Sequence, residues 1–91
     1  MKIKSSKPIG KIVKGDKMKV NGKELVVDAH YVFEDYKTTK EMLIELYDPK
    51  AKEDAGDFQL RYFDDQVEDT IKFYELKVIV YEDVEIKSLE W

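Results

Sequence analysis

The sequence predicts a mainly β fold, a small half-open antiparallel barrel of five to seven strands. Composition, alternation and turn chemistry lead there. Val, Ile and Thr number nine, seven and three, and aromatic residues eleven, against only three Ala. β-branched and aromatic side chains suit a pleated, half-buried surface. Apolar residues recur at every second position from Leu25 to Phe33, the period of a strand with one face inward. Asn21-Gly22 stands between two such runs and is a strong hairpin signal, because a type I′ turn needs two residues with positive φ. Ninety-one residues without a linker, repeat or low-complexity tract make one domain, residues 1–91.

Taken in order, the first strands are expected at about 17–20 and 23–34. In the second, Leu25, Val27, Ala29, Tyr31 and Phe33 should line the core, with Val26, Asp28, His30, Val32 and Glu34 opposite. Residues 35–39 form a loop. Residues 40–47 place Met42, Ile44 and Leu46 on one face and read as a strand. The competing reading is a helix capped by Thr38 and Glu41, cut short by Asp48-Pro49. A polar loop runs from Asp48 to Asp57, with Pro49 and Gly56. Phe58, Leu60 and Tyr62 alternate through a further strand.

Residues 67–76 are again two-sided. Asp65 and Glu68 could cap a helix, whereas Thr70, Ile71, Phe73 and Tyr74 prefer strands. The alternative fold is therefore α+β, with short helices near 39–47 or 66–75. Val78, Ile79, Val80 and Tyr81 suit a strand buried on both faces. Val84, Ile86 and Leu89 continue a last strand.

The stretch from Gly15 through Asn21-Gly22 to Val27 resembles the first hairpin of many SH3-like barrels, including those of translation proteins. The resemblance covers some 13 residues and implies an architecture; no family's site residues map onto the remainder.

Net charge is −4, but it is unevenly placed. Residues 1–23 hold eight Lys and one Asp, net +7; the other 68 residues hold eight basic and nineteen acidic side chains, net −11. The sharp reading is a basic arm for nucleic acid through Lys11, Lys14, Lys17, Lys19 and Lys23. The plain reading sets basic strands beside acidic ones in one fold. Ile3, Ile9, Ile12, Val13, Met18 and Val20 thread through the lysines as inward residues of strands would. A single Arg in the whole chain also removes the best bidentate reader of phosphate and guanine. One Asn, two Gln and no Cys beside abundant Lys and Glu resemble the composition of proteins from hot environments. Lysines interrupt every apolar run near the N-terminus, so neither a signal peptide nor a membrane span is expected, and the cytoplasm is the expected compartment.

Catalytic chemistry finds few of its residues. With no Cys, thiolate metal sites, disulfides and thiol nucleophiles are excluded. His30 is the only histidine; Asp28, two residues before it on the same strand face, is its expected neighbour at the surface. Serines stand only at 5, 6 and 88, and no nucleophile elbow appears. The four glycines are dispersed, unlike those of phosphate-binding loops. No enzyme and no cofactor is expected.

Acids cluster at Glu53-Asp54 with Asp57, at Asp64-Asp65 with Glu68-Asp69, and at Glu82-Asp83 with Glu85. The second set, Asp64, Asp65, Glu68 and Asp69, is the candidate divalent-cation site; its plain reading is a solvated turn. Of the aromatics, Tyr31, Phe33, Phe58, Tyr62, Phe63, Phe73, Tyr74 and Tyr81 are expected mainly in the core or its rim, because Leu is scarce. Trp91 is expected to pack against the barrel and pin the last strand. The leading expectation is a non-catalytic module with a protein partner. A nucleic-acid-binding barrel is second and an acidic cation site third.

Overall fold

The computed structural model describes residues 1–51 and 57–91. It is an open, curled half-barrel: one eight-stranded sheet with two short helical turns. The strands are β1 (Lys2–Lys4), β2 (Lys17–Val20), β3 (Lys23–Asp35), β4 (Lys40–Tyr47), β5 (Asp57–Phe63), β6 (Lys72–Lys77), β7 (Val80–Val84) and β8 (Ser88–Glu90). A 3₁₀ turn spans Ile9–Lys11, and α1 spans Val67–Thr70. Their order across the sheet is β1-β8-β2-β3-β4-β5-β6-β7.

Eight strands exceed the expected count because the chain's first and last apolar segments make a short parallel pair, Lys2 beside Ser88 and Lys4 beside Glu90. All other neighbours are antiparallel. Asn21 and Gly22 turn β2 into β3 with φ of +52° and +82°, as the hairpin signal requires. Residues 40–47 are a strand. Residues 66–75 divide: Val67–Thr70 makes one helical turn with no side-chain cap, and β6 follows. The β-formers Phe73 and Tyr74 win where cross-strand partners exist. Only the turn before them, beside the end of β5, closes as helix.

The core lies inside the curl. Leu25, Val27, Ile44, Leu60, Met18 and Leu89 are each at most 1% exposed. Ile9 and Ile12 cover one end of this core and Ile71 and Phe73 another part of it.

The inward alternation of β3 stops early. Leu25 and Val27 are buried, but Tyr31 and Phe33 are 43% and 45% exposed. Val27 pairs with Leu46, whereas Ala29 pairs with the very next residue back, Glu45. Asp28 is therefore an extra residue, a β-bulge that turns the following side chains to the other face. His30 now lies opposite the core residue Ile44, and Tyr31 lies on the outer face opposite Leu43. A second shift between Val32 and Glu34 precedes the loop.

The run 78–81 is also not what its composition suggests. Val78 and Ile79 form the two-residue turn between β6 and β7, 94% and 87% exposed. Val80 and Tyr81 begin an exposed edge strand, not one buried on both faces. Ile86 lies in the connection to β8, so the expected last strand is two strands. Trp91 is half-buried, and its indole N–H donates to the Lys7 carbonyl at 2.7 Å, which ties the last residue to the N-terminal segment.

Candidate functional site

The outer face of the sheet carries the densest exposed chemistry. Register places Tyr31, Leu43 and Arg61 in one row across β3, β4 and β5. The adjoining row runs Ala29, Glu45, Gln59, Tyr74 and Asp83. Tyr81 follows on β7, opposite Leu76. The bulge at Asp28 is what puts Tyr31 here rather than in the core.

Arg61, the only arginine, is held from three sides. Its guanidinium carbon lies 4.5 Å from the centre of the Phe33 ring and 4.8 Å from that of Tyr74. Its Nε and Nη2 donate to Gln59 Oε1 at 3.3 and 2.8 Å. Cation–π contact and the side-chain bond fix the planar group, and among the described residues no carboxylate pairs with it. Leu43 beneath is 1% exposed although it stands outside the main core, so its neighbours on this face close over it. The Tyr31 hydroxyl donates to Glu45 Oε1 at 3.0 Å. Partial desolvation, then that bond, raises the phenol above its ordinary pKa. Asp28, Glu45, Asp57 and Tyr47, with Tyr81, border a shallow hollow of about 190 Å³ beside it. The result is an aromatic surface centred on the fixed Arg61, with Lys72 opposite it in the same row and carboxylates around the two.

The residues singled out in the sequence sit elsewhere. Lys11, Lys14, Lys17, Lys19 and Lys23 are all exposed but do not share a face. Lys17 and Lys19 alternate with the buried Met18 and Val20 and point outward; Lys23 lies opposite Val20 on the inner side, 5.1 Å from the Phe58 ring centre. Lys17 reaches Glu24 at 3.7 Å and Lys23 reaches Asp48 at 3.0 Å. Lys7, outside that set, meets Asp16 at 2.6 Å. The N-terminal lysines thus interleave with acids.

Asp64, Asp65, Glu68 and Asp69 are all exposed. Asp64 accepts from the Lys40 amide at 3.1 Å and from the Thr39 hydroxyl at 3.2 Å, and Asp65 accepts from the same hydroxyl. These carboxylates join two turns. Among the described residues no three His, Asp or Glu side chains converge as a metal would need. Glu53 and Asp54 of the first acidic cluster lie outside the described residues, as does Gly56.

His30 is not paired with Asp28. The bulge turns it inward, where Nδ1 donates to the Ile12 carbonyl at 2.8 Å and Nε2 accepts from the Tyr62 hydroxyl at 2.7 Å. Burial, then the charge of Asp64, pushes the Tyr62 phenol up to about 12.

Sequence reading missed Arg61 as a centre. The signal was present as a lone Arg at an outward strand position, but the aromatics around it come from β3 and β6, far apart in sequence. No helix among the described residues is long and apolar enough to cross a membrane. No family model matches the chain, and neither the curated proteins nor the solved structures hold a detectable match to it.

Proposed function

We propose that this chain is a non-catalytic protein-interaction module, an SH3-like half-barrel that docks a partner on the outer face around Arg61. One observation carries the reading: a guanidinium held between Phe33 and Tyr74, with Tyr31 and Tyr81 exposed beside it. Tyr and Arg dominate the energetic centres of protein interfaces, because they bring large contact area with little conformational freedom to lose. A pre-fixed Arg has already lost its rotamer entropy before the partner arrives.

The carboxylates around the patch favour a partner whose apolar centre is flanked by basic residues, and they steer its approach. The same carboxylates disfavour nucleic acid, which the second reading would bring to these aromatics. Division of the lysines between two faces weakens that reading further.

A photo-crosslinking residue at Tyr47, on the rim, tests the proposal in cells of the source organism. The expected result is one recurrent protein captured by the otherwise native chain and lost when Arg61→Glu is added. Equal capture by both forms, or capture of chaperones alone, overturns it.

A further inference from the structure

Asn21 is the only asparagine of the chain, and it precedes Gly22. The turn alone does not ask for it, since Asp-Gly and Gly-Gly serve a two-residue hairpin of positive φ as Asn-Gly does. What the amide adds is a side chain that both donates and accepts. The structure uses both halves. Asn21 Nδ2 donates to the Glu85 carbonyl at 2.9 Å. Its Oδ1 accepts from the Lys87 amide at 2.7 Å and from the Ser88 amide at 3.2 Å. Its backbone N–H donates to the Ser88 carbonyl at 2.9 Å. One residue of the β2–β3 turn thus clamps the link between β7 and β8. An aspartate would keep the two accepted bonds but set an oxygen against the Glu85 carbonyl.

The same pair carries a chemical liability. Asparagine is a thermolabile residue. With no Cβ, Gly22 leaves its backbone nitrogen open to the preceding side chain, and no other group comes within 4 Å of where a Cβ would stand. Both residues are exposed, so water and hydroxide reach them. The Gly22 nitrogen gives its proton to hydroxide and bonds to Asn21 Cγ. The Cγ–Nδ2 bond breaks, and the leaving nitrogen takes a proton from water to depart as ammonia. Water then opens the cyclic imide at either carbonyl, giving Asp or isoAsp. In sum one water is consumed and one ammonia released.

The folded geometry opposes the first step. Cγ must swing to the Gly22 nitrogen, yet both atoms bonded to it at the end of the side chain are tied to residues 85–88. All three bonds must break before the ring can close.

We infer that Asn21 is a deamidation site that the fold keeps shut, with the clamp on residues 85–88 as its guard. The inference uses no part of the Arg61 face and stands independently of the function proposed above. Opening of the β7–β8 link frees the carboxamide. Conversion to isoAsp then lengthens the main chain of the turn and removes the Nδ2 donor, so the link cannot reclose as before. An unfolding event that outlasts this reaction is irreversible.

Peptide mapping by mass spectrometry, with Asp and isoAsp separated by chromatography, follows residue 21 at mildly alkaline pH. The native chain is expected to convert at least about tenfold more slowly when folded than in guanidinium chloride. Lys87→Pro removes one donor to Oδ1 and leaves Asn21-Gly22 intact. Folded by circular dichroism, it is expected to convert at least about threefold faster than the folded native chain, and at the same rate in denaturant. Should that variant not fold, hydrogen exchange on the native chain decides. In denaturant below the unfolding midpoint, conversion of residue 21 is expected to accelerate in proportion to exchange of the Lys87 amide. Equal rates for the folded and unfolded native chain overturn the inference. So does an unchanged rate in folded Lys87→Pro, or conversion that does not track Lys87 exchange.

Discussion

His30 bonds through both ring nitrogens. Nδ1 faces a carbonyl and must donate, so in the neutral ring Nε2 accepts from the buried Tyr62 hydroxyl. Tyr62→Phe should cost about 1–2 kcal/mol in urea unfolding, because a half-buried acceptor loses its donor. His30→Ala should cost a similar amount, and the double variant less than the sum of the two, by about 1 kcal/mol. Two aspartates make the acid response specific. The Lys7 ammonium and the Val13 amide hold Asp16 below its ordinary 3.8, and the Lys50 amide, then Lys23, hold Asp48 below it. A depressed carboxylate stabilises the fold above its unfolded pKa and stops doing so as pH falls through its lower folded value. Asp16→Asn and Asp48→Asn should therefore be less stable than the native chain at neutral pH. Thermal melts should show each difference closing as pH drops below 3.8.

Elements were legible wherever a local rule was kept. Asn21-Gly22 announces its turn, and Met42, Ile44 and Leu46 announce β4; all three side chains face inward as expected. Broken rules hid the rest. Asp28 is an ordinary residue with no sequence mark of a bulge, yet it reverses the phase of β3 and sends Tyr31 outward and His30 inward. The apolar run 78–81 looked buried because composition weighs β-branched residues as core, and nothing local shows that a turn passes through Val78. Holding Val in the left-handed region costs about 1–2 kcal/mol. Val78→Asn alone should thus raise stability, by about 1 kcal/mol in chemical denaturation. No gain would mean that the turn is relaxed by its surroundings.

Across the whole molecule, stability should be graded from the middle of the sheet outward. β4 and β5 lie between paired neighbours and carry Ile44, Leu46 and Leu60, all nearly inaccessible. Their amides should exchange slowest with deuterated water, at rates set by global unfolding, and those of β1 and β7 at the two edges fastest. Uniform protection would contradict this grading. Periodicity found most strands but could not give the candidate site, because Phe33, Arg61 and Tyr74 converge through strand order, which alternation does not encode. Nor could it find the parallel partnership of β1 with β8, which joins Lys2 to Ser88 and leaves β1 no other neighbour. That partnership imposes a timetable on synthesis. While the ribosome is still translating, the hairpins from β2 to β7 can zip as they emerge, but Lys2–Lys4 must wait for Ser88–Glu90. The pocket between Ile3 and Trp91 is accordingly built last.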